Sequence, residues 1–273
     1  MNEKHKEYNL TNFSTGILTI LSSIIVAILL TISLIGIISR HSLYPTKELI
    51  LTFVPNDGVN LILVVPLLIL SIIFAKRGFL IGYLFWVAGL FFVIYHAIFY
   101  VFAFKLSIVF LVYLTLLMAS IFLLVGLCSC LNPVYIRKKL ENIIPARSIG
   151  WLLIIFGSLF FLRTIGVLGE AIIKNTLISV GDYCVLISDF FISIAWLVSG
   201  ILLIKKQDSG YLLGTSAFIH AHATTIGLLI CFILQPILTS TPFAFVDFST
   251  IAIFELIWFV PIFIMIIKKK TKV

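Results

Sequence analysis

The chain has 273 residues, of which 62% are apolar and only 11% charged, with a mean hydropathy of +1.23. Soluble domains carry about a quarter charged residues, so this balance excludes a soluble enzyme, a disordered chain, a disulfide scaffold and a nucleic-acid-binding module. The formal charge of +8 resembles an anionic-partner signal until the basic residues are placed along the chain.

Apolar runs predict eight transmembrane helices over residues 13–39, 60–75, 79–103, 106–130, 149–173, 183–204, 211–234 and 249–267, each close to the roughly 20 residues a bilayer requires. The first run is too long for a signal-peptide core and reads as an uncleaved anchor. With the N-terminal tail 1–12 in the cytoplasm, fourteen of the nineteen Lys and Arg residues fall on inner segments, among them Lys76, Arg77, Arg137, Lys138, Lys139, Lys205 and Lys206. Such a bias is the orientation rule for multi-pass proteins. It places both termini in the cytoplasm and explains the basicity without a nucleic-acid or soluble acidic partner. Two glycosylation-like triplets, at 9–11 and 12–14, then lie on the wrong side to be modified. The segment 40–59 is expected outside, with its short apolar stretch 49–54 lying at the interface or capping the bundle. Cys128, Cys130, Cys184 and Cys231 form no CxxC pair and read as small packing residues.

An internal repeat is visible. Asn60 stands in a run ending at Lys76-Arg77 and followed by Gly82-Tyr83; Asp189 stands in a run ending at Lys205-Lys206 and followed by Gly210-Tyr211. The offset of about 128 residues predicts two parallel four-helix halves, 1–130 and 149–273, joined by a cytoplasmic linker 131–148. The fold expected is therefore an all-α integral membrane protein of a cell membrane, with the bilayer as its main partner and a homo-oligomeric or other membrane contact left open. Pro66 and Pro261 fall inside runs and predict kinks. The phenylalanines of the third run read as lipid-facing and core bulk.

Ionisable groups within a span cost about 2.5–3.5 kcal/mol on insertion scales, which makes each one a site candidate with a partner to be found. Arg163 and Asp189 sit on consecutive helices within reach of one another, as either a structural ion pair tying the two helices together or the charged lining of an outward-facing cavity. Glu170, two turns above Arg163, could share that guanidinium. Glu255 is either protonated in the core or a third member of the cluster, and Asp57 is a further candidate. His96 and His222 have similar depths on repeat-related helices, and His220 is nearby. They permit a proton relay, ligand binding or, against the imperfect equivalence of their positions, axial haem ligation. Ordinary hydrogen-bonded packing is the commoner role for such histidines, and no cofactor or metal is expected. No serine–histidine, metalloprotease or aspartyl pair has productive helical spacing, so hydrolysis is the least expected class and a non-enzymatic role is expected over an enzymatic one.

The stretch Asp57-Gly58-Val59-Asn60-Leu61 with Pro66-Leu67-Leu68, then Ala75-Lys76-Arg77-Gly78, Tyr95 to Tyr100, Phe110-Leu111-Val112-Tyr113, Asp189 and Gly210-Tyr211-Leu212-Leu213 resembles a group of bacterial and archaeal multi-pass membrane proteins with no assigned activity. The resemblance spans residues 57 to 230 and implies the architecture alone; within it the matches to Asp57, Arg77, Asp189 and Gly210-Tyr211 recur, whereas the three histidines match no pattern. The function expected is transport or channel-like passage of a small solute or ion through an outer-half polar site. A membrane sensor or accessory subunit is the alternative, and an intramembrane redox protein stands behind both.

Overall fold

A computed structural model describes residues 10–11 and 15–270, with side chains to residue 266. Most of the expected tail and the triplet at 12–14 lie outside the described residues. The described residues form helices and no strand: α1 (Gly16–Ile38), α2 (Arg40–Leu43), α3 (Lys47–Val59), a π-helical turn (Asn60–Val64), α4 (Val65–Lys76), α5 (Leu80–Ala103), α6 (Ile108–Cys130), α7 (Pro133–Leu140), α8 (Ala146–Lys174), α9 (Val180–Ile204), α10 (Asp208–Thr239), α11 (Phe245–Trp258) and α12 (Val260–Lys270). They provide eight helices long and apolar enough to cross a membrane, with α3, the π turn and α4 acting as one and α11–α12 as another.

The connections are short, so consecutive spans run antiparallel. Contacts between loops define two faces. On the terminal face, Leu10 O accepts from Asn132 N at 3.0 Å and Arg137 pairs with Asp208 at 3.0 Å. On the distal face, Glu48 Oε1 accepts from Val180 N at 2.6 Å, and Arg40 bonds the carbonyl of Leu238. Around the perimeter, Ile24, Phe122, Leu159, Ile237 and Phe263 are exposed. Apolar side chains exposed on helix after helix are what a bilayer requires and water penalises.

The centre is α5. Trp86, Val87, Phe92 and Tyr100 are fully buried, and α5 packs against α4, α6, α9 and α10. Phe91, Phe92 and Phe99 of the aromatic run are core, whereas Phe79 and Phe102 face outward.

Three boundaries differ from the sequence reading. The second span begins at Lys47, because Thr46 caps the helix by accepting from Leu49 N at 3.2 Å. The stretch 49–54 is therefore not a surface cap: Phe53 and Val54 are fully buried, and Asp57 lies inside the span. The helix absorbs one additional residue at the π turn just ahead of Pro66. α10 extends to Thr239, five residues past the expected end. The last span is interrupted at Phe259, two residues before Pro261.

Glycines set the closest helix approaches. A Cβ on Gly200 would lie 2.7 Å from Gly150 O, and one on Gly150 would lie 2.9 Å from Gly200 O, so α8 and α9 touch backbone to backbone. Gly82 and Gly210 play matching parts in their hairpins. A Cβ on either would collide with the backbone eight residues earlier, at Phe74 and Leu202 respectively.

Candidate functional site

The α8–α9 contact lines up the middle of both helices, and Arg163 and Asp189 meet there. Arg163 Nη1 donates to Asp189 Oδ2 at 3.0 Å, and Tyr95 Oη on α5 donates to Asp189 Oδ1 at 3.1 Å. Thr164 reinforces the crossing by donating to Leu186 O at 3.2 Å. The Asp189 side chain is 8% exposed and that of Arg163 50%, so the carboxylate is enclosed while the guanidinium keeps donors to spare. Among the described residues, Asp189 is the sole partner of that guanidinium.

Both charges line a cavity of about 500 Å³ enclosed by α3, α5, α8, α9, α10 and α11. Its walls are largely aromatic, including Phe92, Phe160, Trp196, Phe232, Phe254 and Trp258. Polar groups are few: the Arg163–Asp189–Tyr95 cluster, His96, Asn56, Thr224 and Thr225, with Asp247 and Thr250 in the distal part of α11. Asp189 is nine residues from the distal start of α9, about 14 Å in at 1.5 Å per residue. An apolar chamber with a few convergent polar groups is the usual form of a small-molecule site. Between α8 and α11 the wall includes Phe156, whose ring meets Trp258 at 4.6 Å and Phe254 at 5.7 Å.

The other candidates go elsewhere. Glu170 does not share Arg163; it pairs with Lys174 at 2.6 Å on the exposed end of α8. Glu255 is not part of the Asp189 cluster either. Its Oε1 is 2.8 Å from His222 Nδ1, its Oε2 accepts from the Thr225 hydroxyl, and His222 Nε2 is 3.0 Å from Trp258 O. His96 and His222 do not face each other. His96 stacks obliquely on Phe92 at 4.7 Å, and its Nδ1 is buried without a partner. His220 meets Phe92 edge-on at 5.7 Å, with Nδ1 accepting from Trp196 Nε1 at 3.1 Å and Nε2 3.3 Å from Thr224 Oγ1.

Asp57 forms a separate cluster. Tyr44 Oη donates to Oδ2 at 2.5 Å and Tyr100 Oη to Oδ1 at 2.8 Å, while Tyr100 stacks on Tyr113 at 4.1 Å. Asn60 donates to Ser33 at 3.1 Å alongside. Gly36 makes the room, since a Cβ there would fall 1.9 Å from Asp57 Oδ2. Tyr44 precedes the second span, and burial beside the carboxyl of Asp57 raises its phenol well above the ordinary range, keeping it a donor.

Sequence reasoning missed Tyr95, Tyr44, Tyr100, Thr225 and Trp258. Tyrosine and tryptophan read as apolar bulk, although a buried phenol or indole needs a polar partner; Tyr95 and Tyr100 in mid-helix carried that signal. No protein-family model matches the chain, and no match was found among curated proteins or among solved structures.

Proposed function

We propose that this protein is a carrier for a small organic solute, bound in the distal-half cavity with its polar group at Arg163 and its apolar body against the aromatic wall. The observation that carries the reading is the half-exposed guanidinium opening into an aromatic chamber of about 500 Å³. A bare ion would leave that wall without a purpose; an organic acid or zwitterion would use both parts.

The lysine- and arginine-rich terminal face is assigned to the cytoplasm, which directs the cavity towards the outside. Two parallel four-helix halves fit this arrangement. Ser33–Asn60 joins α1 to the second span as Arg163–Asp189 joins α8 to α9, with offsets of 130 and 129 residues. Gly82 and Gly210 make equivalent hairpin contacts. In this reading one half has turned the shared position into a charged site and the other has kept it neutral.

The test is a thermal-shift screen of purified protein against aromatic and branched-chain carboxylates and amino acids, followed by uptake of any stabilising compound into proteoliposomes. Stabilisation that disappears in Arg163→Gln, together with uptake, supports the carrier. Binding without uptake reassigns the protein as a membrane sensor or accessory subunit. Binding that survives Arg163→Gln removes the site.

A further inference from the structure

His222 and Glu255 form a largely enclosed acid–base pair that solute binding at Arg163 does not use. We propose that this pair is a proton-carrying site whose loading sets the position of the cavity wall at Trp258. It builds on the carrier reading only for its use, in which a proton gradient would drive the solute.

The argument starts from proton bookkeeping. His222 Nε2 is 3.0 Å from Trp258 O, an atom that can only accept, so Nε2 carries a hydrogen. Nδ1 is 2.8 Å from Glu255 Oε1, a contact that also needs a proton between the two atoms. That proton rests either on nitrogen, giving imidazolium and carboxylate, or on oxygen, giving neutral imidazole and acid. Both forms contain the same number of protons and are neutral overall. The pair as it stands is thus proton-loaded. Losing the proton leaves one hydrogen for two contacts, so a nitrogen lone pair faces either the Glu255 carboxylate or the Trp258 carbonyl, and one of the two contacts has to open.

Opening has somewhere to act. Trp258 receives the His222 N–H, forms part of the cavity wall and ends α11 just before the break at Phe259. Thr225 bonds Glu255 and also lines the cavity. Around the pair the neighbours are mainly rings: Phe218 at 4.9 Å and Phe259 at 5.2 Å from the imidazole. Other titratable groups are engaged elsewhere or lie apart. On α10, His220 is held by Trp196 and Thr224; on α8 and α9, Arg163 and Asp189 hold each other; on α5, His96 stacks on Phe92; on α11, Asp247 is two turns towards the distal end. Intramembrane carboxylate–histidine pairs that can bind or release a proton are the parts from which proton relays are made. By linkage, whatever proton loading does to the cavity, a solute in the cavity does in return to proton affinity.

The experiment is ¹⁹F NMR of the full chain labelled with 5-fluorotryptophan in detergent, across a pH series with no solute present. Trp86, Trp151, Trp196 and Trp258 give four resonances, assigned by single Trp→Phe variants. The expected result is that the Trp258 resonance moves through one titration in the wild type and stays at its low-pH position in Glu255→Gln. Unchanged Trp86 and Trp151 resonances in the variant certify its fold. Asp189→Asn and Asp247→Asn should each retain the titration; loss in either assigns the proton to that residue and overturns the proposal. A pH-independent Trp258 resonance, or one titrating equally in Glu255→Gln, overturns it as well. Because no solute enters the measurement, failure of the carrier reading leaves this result intact, and the reverse also holds.

Discussion

Asp57 and Asp189 are both carboxylates enclosed by apolar helices, but the protein treats them differently. Asp57 is fully buried, takes two phenolic hydrogen bonds and has its space cleared by Gly36. Asp189 takes one phenol and one guanidinium, and that guanidinium is half exposed in a chamber. The first arrangement gives each carboxylate oxygen a phenol donor from within the fold and ties α3, α5 and the segment before α3 together. The second retains donors that the fold does not use. On the carrier reading, the spare donors beside Asp189, more than burial, set it apart from Asp57.

That contrast can be broken most forcefully at Asp57. Asp57→Ala strands two buried phenol donors, each costing about 1–3 kcal/mol, so thermal melting of the purified protein should drop severely or folded yield should be lost. A variant that melts like the wild type would show that the cluster is not structural. Gly36→Ala drives a methyl group into the same carboxylate and should cost about 1–3 kcal/mol as overpacking, read from the same melting curve. At the other site the effect should fall on binding. Arg163→Gln should melt close to the wild type, because half its side chain is exposed, while abolishing the solute-induced shift. The exchanged pair Arg163→Asp with Asp189→Arg should recover expression that either single reversal loses, without recovering binding; recovered binding would make the cluster a mere brace. The smallest effect is expected from Glu170→Gln, which breaks an exposed i,i+4 pair and should leave both melting and binding unchanged.

Much of the scaffold was legible because bilayer thickness imposes a length and apolar runs announce it. Arg163 and Asp189 could be paired from depth alone, since α8 and α9 are joined by a short turn and run back along each other. The same reasoning left Glu255 open between the core and the Asp189 cluster and did not link it to His222. α10 continues to Thr239 and α11 begins at Phe245, which changes the depth count and brings Glu255 level with His222. The start of the second span was obscured because Lys47, Glu48, Asn56 and Asp57 dilute its hydropathy, although Thr46 was a readable cap. The tyrosine partners of both aspartates come from α5 or from the segment before α3, and no local pattern links them. Such contacts are created by packing around the central helix.

The glycine contact between α8 and α9 has a mechanical consequence. Helices that meet through side chains can slide as rotamers change, but helices that meet backbone to backbone have nothing to rearrange. Carbonyl oxygens on Gly150 and Gly200 rest where side chains would otherwise be, so α8 and α9 behave as one rigid strut bearing the Arg163–Asp189 pair at mid-length. On the carrier reading, the moving part of the chamber is then α11, which meets α8 through aromatic rings that can roll over one another.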